Sequence, residues 1–260
     1  MKKLIQILLL LTLPAITFAQ SSVKATDIVT RINKGEAVTY SNVRVEGDLD
    51  LTQLSNKKLE SKKISGIGTK NYVSTVTAPV SFTNCTFTGN VLAYVSPNNG
   101  KVFNNSNEVF NTDFEKDVTF AGCTFENESA FKYSHFNGKV SFAGSIFKEE
   151  ALFKYSQFAF APNFSKARFD ETATFKYVNF PQGTSFSAAS FNEHADFKYA
   201  TFQQGADFGT SSFLGLADFK YSSFNSPKFT GAEFKGSGDF KYTSLSGDKT
   251  FSAEIRDRIR

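Results

Sequence analysis

The sequence predicts an all-β solenoid, a column of short strands wound into stacked coils, on three observations. Rows beginning Phe-Lys-Tyr start at Phe131, Phe153, Phe175, Phe197 and Phe219, with a sixth at Phe240, at four intervals of 22 residues and one of 21. Within a row the large apolar residues recur at alternating steps of five and six, as in Phe175, Phe180, Phe186, Phe191 and Phe197. The composition is one-sided, with 31 Phe, 9 Tyr and no Trp, as expected of one interior environment repeated many times rather than a mixed core.

Two residues before each of these row Phe stands a small, uncharged side chain, such as Ala173, Val178, Thr184, Ala189 and Ala195. Side chains alternate along a strand, so the small residue and the Phe share one side, which must be the inside. Four such units make one coil, and coils stack about 4.8 Å apart. No coil buries its Phe alone, and stability has to come from stacked neighbours.

The unit small–x–Phe–x–x, as in Ala195-Asp196-Phe197-Lys198-Tyr199 and Ala217-Asp218-Phe219-Lys220-Tyr221, resembles the pentapeptide-repeat family. That family's motif is a small residue, Asp or Asn, Leu or Phe, and two variable residues. The resemblance runs from about Val80 to Phe251, roughly two-thirds of the chain. It implies a right-handed quadrilateral β-helix with four short faces per coil. Two departures stand out: every second step is six residues, and only some units carry the Asp. The extra residues are expected to bulge at corners.

The organisation follows. Lys2, Lys3, the apolar run Leu4 to Phe18 and the small-residue site Thr17-Phe18-Ala19 read as a signal peptide over 1–19, too short for a stop-transfer helix. No Cys lies near that site, so no lipid anchor is expected, and no later segment is apolar enough to span a membrane. An N-terminal cap is expected over 20–37, with a helix over 24–35 carrying Asp27, Ile28 and Ile32 and ending at Gly35. The solenoid occupies 38–254, irregular at 52–79 and with an insert loop at 88–108. Residues 255–260 are a charged tail.

Charge limits the function. Removing Lys2 and Lys3 from 29 basic residues leaves 27 against 25 acidic, too balanced for a nucleic-acid-binding surface. Some pentapeptide-repeat proteins resemble DNA and protect topoisomerases, but those are acidic and cytoplasmic. Here an export signal and the lack of an acidic stripe argue against that role.

The most regular surface feature follows each leading Phe. Lys132, Lys154, Lys176, Lys198, Lys220 and Lys241 are expected to form one ladder, and Tyr133, Tyr155, Tyr177, Tyr199, Tyr221 and Tyr242 another at the adjoining corner. Solvated like charges about 5 Å apart repel by only roughly 0.8 kcal/mol. Asp196, Asp218 and Asp239 precede the Phe in the last three rows, whereas Ala130, Leu152 and Thr174 stand there in the first three. The half around Lys132, Lys154 and Lys176 is therefore the more electropositive. Such a strip suits a glycan, Lys meeting carboxylate or phosphate and Tyr supplying stacking area. The competing explanation is a duplicated solvated face without a ligand.

Catalytic signals are missing. His135 and His194 lie in different rows without triad or metal-ligand spacing, and no phosphate-binding loop is present; neither a cofactor nor a metal is expected. Cys85 and Cys123 share the small-residue slot on neighbouring coils. Their spacing and an oxidising compartment permit a disulfide, although in-register side chains point in parallel, which favours buried thiols. The expectation is a non-catalytic structural or binding rod, periplasmic or secreted, contacting a protein or glycan of the envelope. The alternative is a polysaccharide-active β-helix enzyme.

Overall fold

Five-residue steps leave two to four extended residues per side before the chain must turn, and the backbone does this throughout. The computed structural model describes residues 20–60, 69–97 and 107–247; the N-terminal signal-like segment and the charged tail lie outside them. In one representative coil the sides are Val118–Ala121, Thr124–Phe125, Ser129–Ala130 and His135–Phe136, here called faces I to IV. The next coil pairs with it in parallel 22 residues on, Val118 with Val140, Thr124 with Ile146, Ser129 with Ala151 and His135 with Gln157. Repetition builds four parallel sheets in a right-handed quadrilateral β-helix. Face I thins to single bridges beyond Ser141 and continues through Asn163, Ser185, Asp207 and Lys228.

The corners explain the alternating steps. Five-residue steps turn through one residue with positive φ, such as Tyr133 (+61°) or Gly122 (+62°). The sixth residue of the longer steps falls at the other two corners, at 137–139 and 148–150. Gly138 is needed at the first of these, because a Cβ there would run into the backbone of Lys116 and Asp117 one coil away.

The interior is four columns of phenylalanine. On face III, Phe131, Phe153, Phe175, Phe197, Phe219 and Phe240 stack with ring centroids 4.9–5.1 Å apart. Columns on opposite faces meet edge to face across the interior, as Phe175 does with Phe164 and Phe186 at 5.3 Å. This is the arrangement the ring quadrupole favours.

The N-terminal end is closed by a strand and a helix. Residues 20–37 are not wholly helical: β1 (Ser21–Lys24) pairs in parallel with Val43–Glu46. It leads into α1 (Ala25–Asn33), whose Ala25, Ile28 and Ile32 are buried against the strand Leu49–Asp50. Gly35, at φ +71°, turns the chain out of α1, its N–H bonded to the Ile32 carbonyl. The helix covers apolar side chains and strand edges that the first coil would otherwise expose.

The two irregular segments meet. Thr69–Val76 and Asn107–Phe114 lie in parallel through eight registered pairs. Lys58–Glu60 adds antiparallel on one side and Tyr94–Val95 on the other. The result is a four-stranded flap continuing face IV. Tyr72 stacks on Phe110 at 5.0 Å, and the Lys57 ammonium lies 5.0 Å from the Phe110 ring. The excursion starts later than residue 88, because Thr86–Phe87 and Val91–Leu92 still belong to the coil wall. The wall keeps its register across the excursion, with Phe82 opposite Phe120.

Phe175 is fully buried amid these rings. Phe175→Ala is expected to cost about 3–5 kcal/mol, and Phe175→Asp to abolish a single cooperative transition. Guanidinium unfolding followed by circular dichroism checks both, and a loss below about 1 kcal/mol for the alanine variant contradicts the column.

Candidate functional site

A strand on face III displays every second residue outward, so each coil offers a triplet ending in the ladder lysine. In successive coils the triplets are Glu128, Ala130, Lys132; Glu150, Leu152, Lys154; Thr172, Thr174, Lys176; His194, Asp196, Lys198; and Leu216, Asp218, Lys220. The next residue, always Tyr, turns the corner at φ between +58° and +62°. Its N–H bonds to the carbonyl of the lysine one coil on, as Tyr177 does to Lys198 at 3.1 Å.

The tyrosines form the expected ladder, yet not an open stacking surface. Tyr133, Tyr155, Tyr177, Tyr199, Tyr221 and Tyr242 stack at 4.6–5.1 Å with interplanar angles of 2–19°. Each interior ring has both faces covered by its neighbours, so a sugar cannot lie on it. The ladder offers ring edges and a row of phenol groups instead. This corrects the stacking role expected for tyrosine. A full ring face is left only at the end, where Tyr242 is 63% exposed.

The lysines divide into two electrostatic halves. Asp218 Oδ2 lies 3.2 Å from Lys198 Nζ and 3.5 Å from Lys220 Nζ. Asp239 Oδ2 is 3.3 Å from Lys220, and Asp196 Oδ2 is 3.7 Å from Lys198. The other oxygen of each carboxylate accepts the backbone N–H two residues on, at 3.0–3.2 Å. Burial pulls the Lys198 ammonium down, but its hydrogen bond to Asp218 and the charges of Asp196 and Asp218 raise it overall. Lys220 is likewise raised by Asp218 and Asp239.

The other half lacks this compensation. Among the described residues, neither Lys132 nor Lys154 has a carboxylate within ion-pair distance. Lys154 is held below the ordinary lysine range by burial and by Lys132 and Lys176; its ammonium lies 5.2 Å from the Tyr155 ring. Lys132 is boxed between aromatic rings, 4.6 Å from Tyr94 and 5.0 Å from Tyr133, and donates to the Tyr94 hydroxyl at 3.1 Å. Lys176 belongs less fully to this half, because Asp196 reaches it at 3.9 Å. Tyr94, on the flap, thus starts the strip, at the 38-residue offset that Phe82 keeps from Phe120.

At the opposite edge of the same face, the acidic counterpart is a corner where Glu128 and Glu171 flank Glu150, whose carboxyl is raised by burial and by those two charges. A second grouping is His194, Asp196 and Asp218, with one ligand atom from each within 4.8 Å of the others. The spacing i, i+2 on one strand plus one coil brings them together. His194 Nε2 is buried without a hydrogen-bond partner. Yet the two carboxylates already face three ammonium groups, those of Lys176, Lys198 and Lys220, so a dication there would meet an excess of positive charge. His135 is engaged elsewhere, with Nδ1 2.9 Å from Asp113.

Cys85 and Cys123 occupy stacked inward positions, buried and unlinked. Burial pushes the Cys123 thiol up to about 12, and its Sγ lies 3.4 Å from the Phe82 carbonyl.

Two tracts, residues 110–157 and 164–212, match the model of pentapeptide repeats in nine copies. Over those tracts the chain carries pentapeptide repeats, wound into the four-sided coil. No curated protein matches it. Among solved structures it is similar to HetL, a pentapeptide repeat protein involved in heterocyst differentiation regulation from the cyanobacterium Nostoc sp. strain PCC 7120. The identity is 11%, over 85% of this chain and 96% of that one, with a TM-score of 0.32.

Two outcomes follow from this geometry. Asp218→Asn removes the carboxylate that joins Lys198 to Lys220, and is expected to lower stability by about 1–3 kcal/mol in chemical denaturation; an unchanged midpoint contradicts the pairing. The Cys123 thiol is expected to resist iodoacetamide at about pH 8 in the folded chain and to react once unfolded. Rapid labelling of native protein contradicts its burial.

Proposed function

We propose that this chain is a non-catalytic, exported scaffold that holds an anionic polymer of the cell envelope along the uncompensated half of its lysine strip. The observation that carries this is the split itself. Lys198 and Lys220 are neutralised by Asp218 and its neighbours, while among the described residues Lys132 and Lys154 have no such partner, and their charges crowd each other. An array of ammonium groups one coil apart gains most from a ligand that supplies repeated carboxylates or phosphates. Export is supported by the N-terminal sequence, whose basic start, apolar run and small-residue site have the layout of a signal peptide. A non-catalytic role is supported by the character of the strip, a row of like groups rather than an acid–base couple converging on one point.

The ligand contacts lysine charge and phenol edges, not ring faces. The double variant Lys132→Ser/Lys154→Ser is therefore expected to fold normally and to lose at least about tenfold in retention on an anionic glycan array, equivalent to about 1.4 kcal/mol. Lys198→Ser/Lys220→Ser is expected to retain binding. Unchanged retention of the first variant across the array removes the strip as a contact surface.

A further inference from the structure

Face IV differs from the strip beside it in carrying no charge over most of its length. From each ladder tyrosine to the next corner the chain holds only hydroxyl, amide, glycine, proline and apolar residues: 155–162, 177–184, 199–206, 221–227 and 242–247. This occurs in a protein of which 21% is charged. One outward column reads Gln157, Asn179, Thr201, Ser223, Ser244 through registered pairs. Gln203, Asn225 and Ser246 continue a second, and Gln182 and Gln204 line the corner.

These groups are not consumed by the fold. Gln157, Asn179, Gln182, Gln203 and Gln204 are all exposed, and among the described residues none forms a side-chain hydrogen bond within the protein. Two shallow grooves lie on this face. One, of about 530 Å³, runs along Tyr133, Tyr155 and Tyr177 beside Gln157 and Asn179. The other, of about 450 Å³, is lined by Thr201, Gln203, Gln204, Ser223 and Asn225 among others.

The chemistry of the face selects its partner. A charged ligand would lose hydration here without an opposite charge in return. An apolar surface would strand the amides without partners. A polymer of hydroxyl groups, each a donor and an acceptor, matches side-chain amides and hydroxyls that also offer both. The phenol row at the edge of the face adds donors of the same kind. We propose that face IV binds an uncharged polyhydroxylated polymer, a neutral glycan lying along the rod. This surface shares only the phenol row with the lysine strip and does not depend on the strip's charges.

Affinity electrophoresis of the chain from Gln20, through gels containing hydroxyethyl cellulose, laminarin or dextran, tests the assignment. Retardation is expected in at least one gel, and the triple variant Gln157→Ala/Asn179→Ala/Gln203→Ala is expected to weaken it at least about tenfold, about 1.4 kcal/mol. Near-UV circular dichroism confirms that the variant is folded. Should it fail that control, Gln203→Glu, which places a charge on the same face, is expected to weaken retardation instead. Binding is expected to survive a rise in salt from about 0.1 M to about 1 M and to be untouched by Lys132→Ser/Lys154→Ser. Free migration in all three gels overturns the proposal. So does retardation that the face IV variants keep, or that salt or the lysine variant removes.

Discussion

Parallel, in-register pairing fixes one distance for the whole molecule, and every other feature answers to it. A residue recurring 22 positions on lies one coil away, so phenylalanine stacks on phenylalanine, tyrosine on tyrosine and lysine on lysine. For the inward rings that spacing is favourable: columns at about 5 Å fill the interior, and columns facing each other across it meet edge to face. For the lysines it is unfavourable. Asp196, Asp218 and Asp239 neutralise one stretch of the ladder, and Tyr94 and Tyr133 enclose Lys132 at its start. Lys154 lies between these two devices, held below the ordinary lysine range by burial and by Lys132 and Lys176.

The same spacing bears on the corners. Left-handed backbone disfavours a side chain with a Cβ by roughly 1–2 kcal/mol per residue. At the corner between faces I and II the chain fills that position with Gly122, Gly144, Lys166, Ala188, Thr210 and Gly231, so the turn itself makes no demand for an aromatic residue. At the corner between faces III and IV it is tyrosine in six successive coils. Stacking between registered rings offsets part of the backbone cost and rigidifies the edge, leaving a row of phenol groups fixed at coil spacing. That edge separates two chemically distinct surfaces, a cationic strip on face III and a charge-free amide and hydroxyl face on face IV.

The coil was legible because it follows from backbone geometry. The alternation of Ala195 and Phe197 about Asp196, repeated by Ala217 and Phe219 about Asp218, sets both which side is inside and how far the next copy lies. The lysine and tyrosine ladders and the uneven placement of Asp followed from the same register. What the row pattern concealed arises from contacts between segments that share no repeat unit. Thr69–Val76 and Asn107–Phe114 find each other across neighbouring coils, and across that excursion the wall register of Val91–Leu92 on Ser129–Ala130 sets Tyr94 one coil before Lys132. Residues 21–24 carry too short a pattern to distinguish β1 from the start of the cap. The closure of the tyrosine faces needed the ring orientation as well as the register. The grouping of His194 with Asp218 required adding one coil to an i, i+2 spacing.

The direct test of the stacked column is a distance that scales with coil number. Outward residues of face II run from Thr86 and Thr124 to Ser212 and Glu233 through registered pairs. Spin labels on Thr124→Cys/Ser212→Cys, four coils apart, should be separated by about 19 Å, and those on Thr86→Cys/Glu233→Cys, six coils apart, by about 29 Å. Pulsed electron resonance giving distances in that ratio supports the column. Equal distances for the two pairs, or broad distributions unrelated to coil number, contradict it.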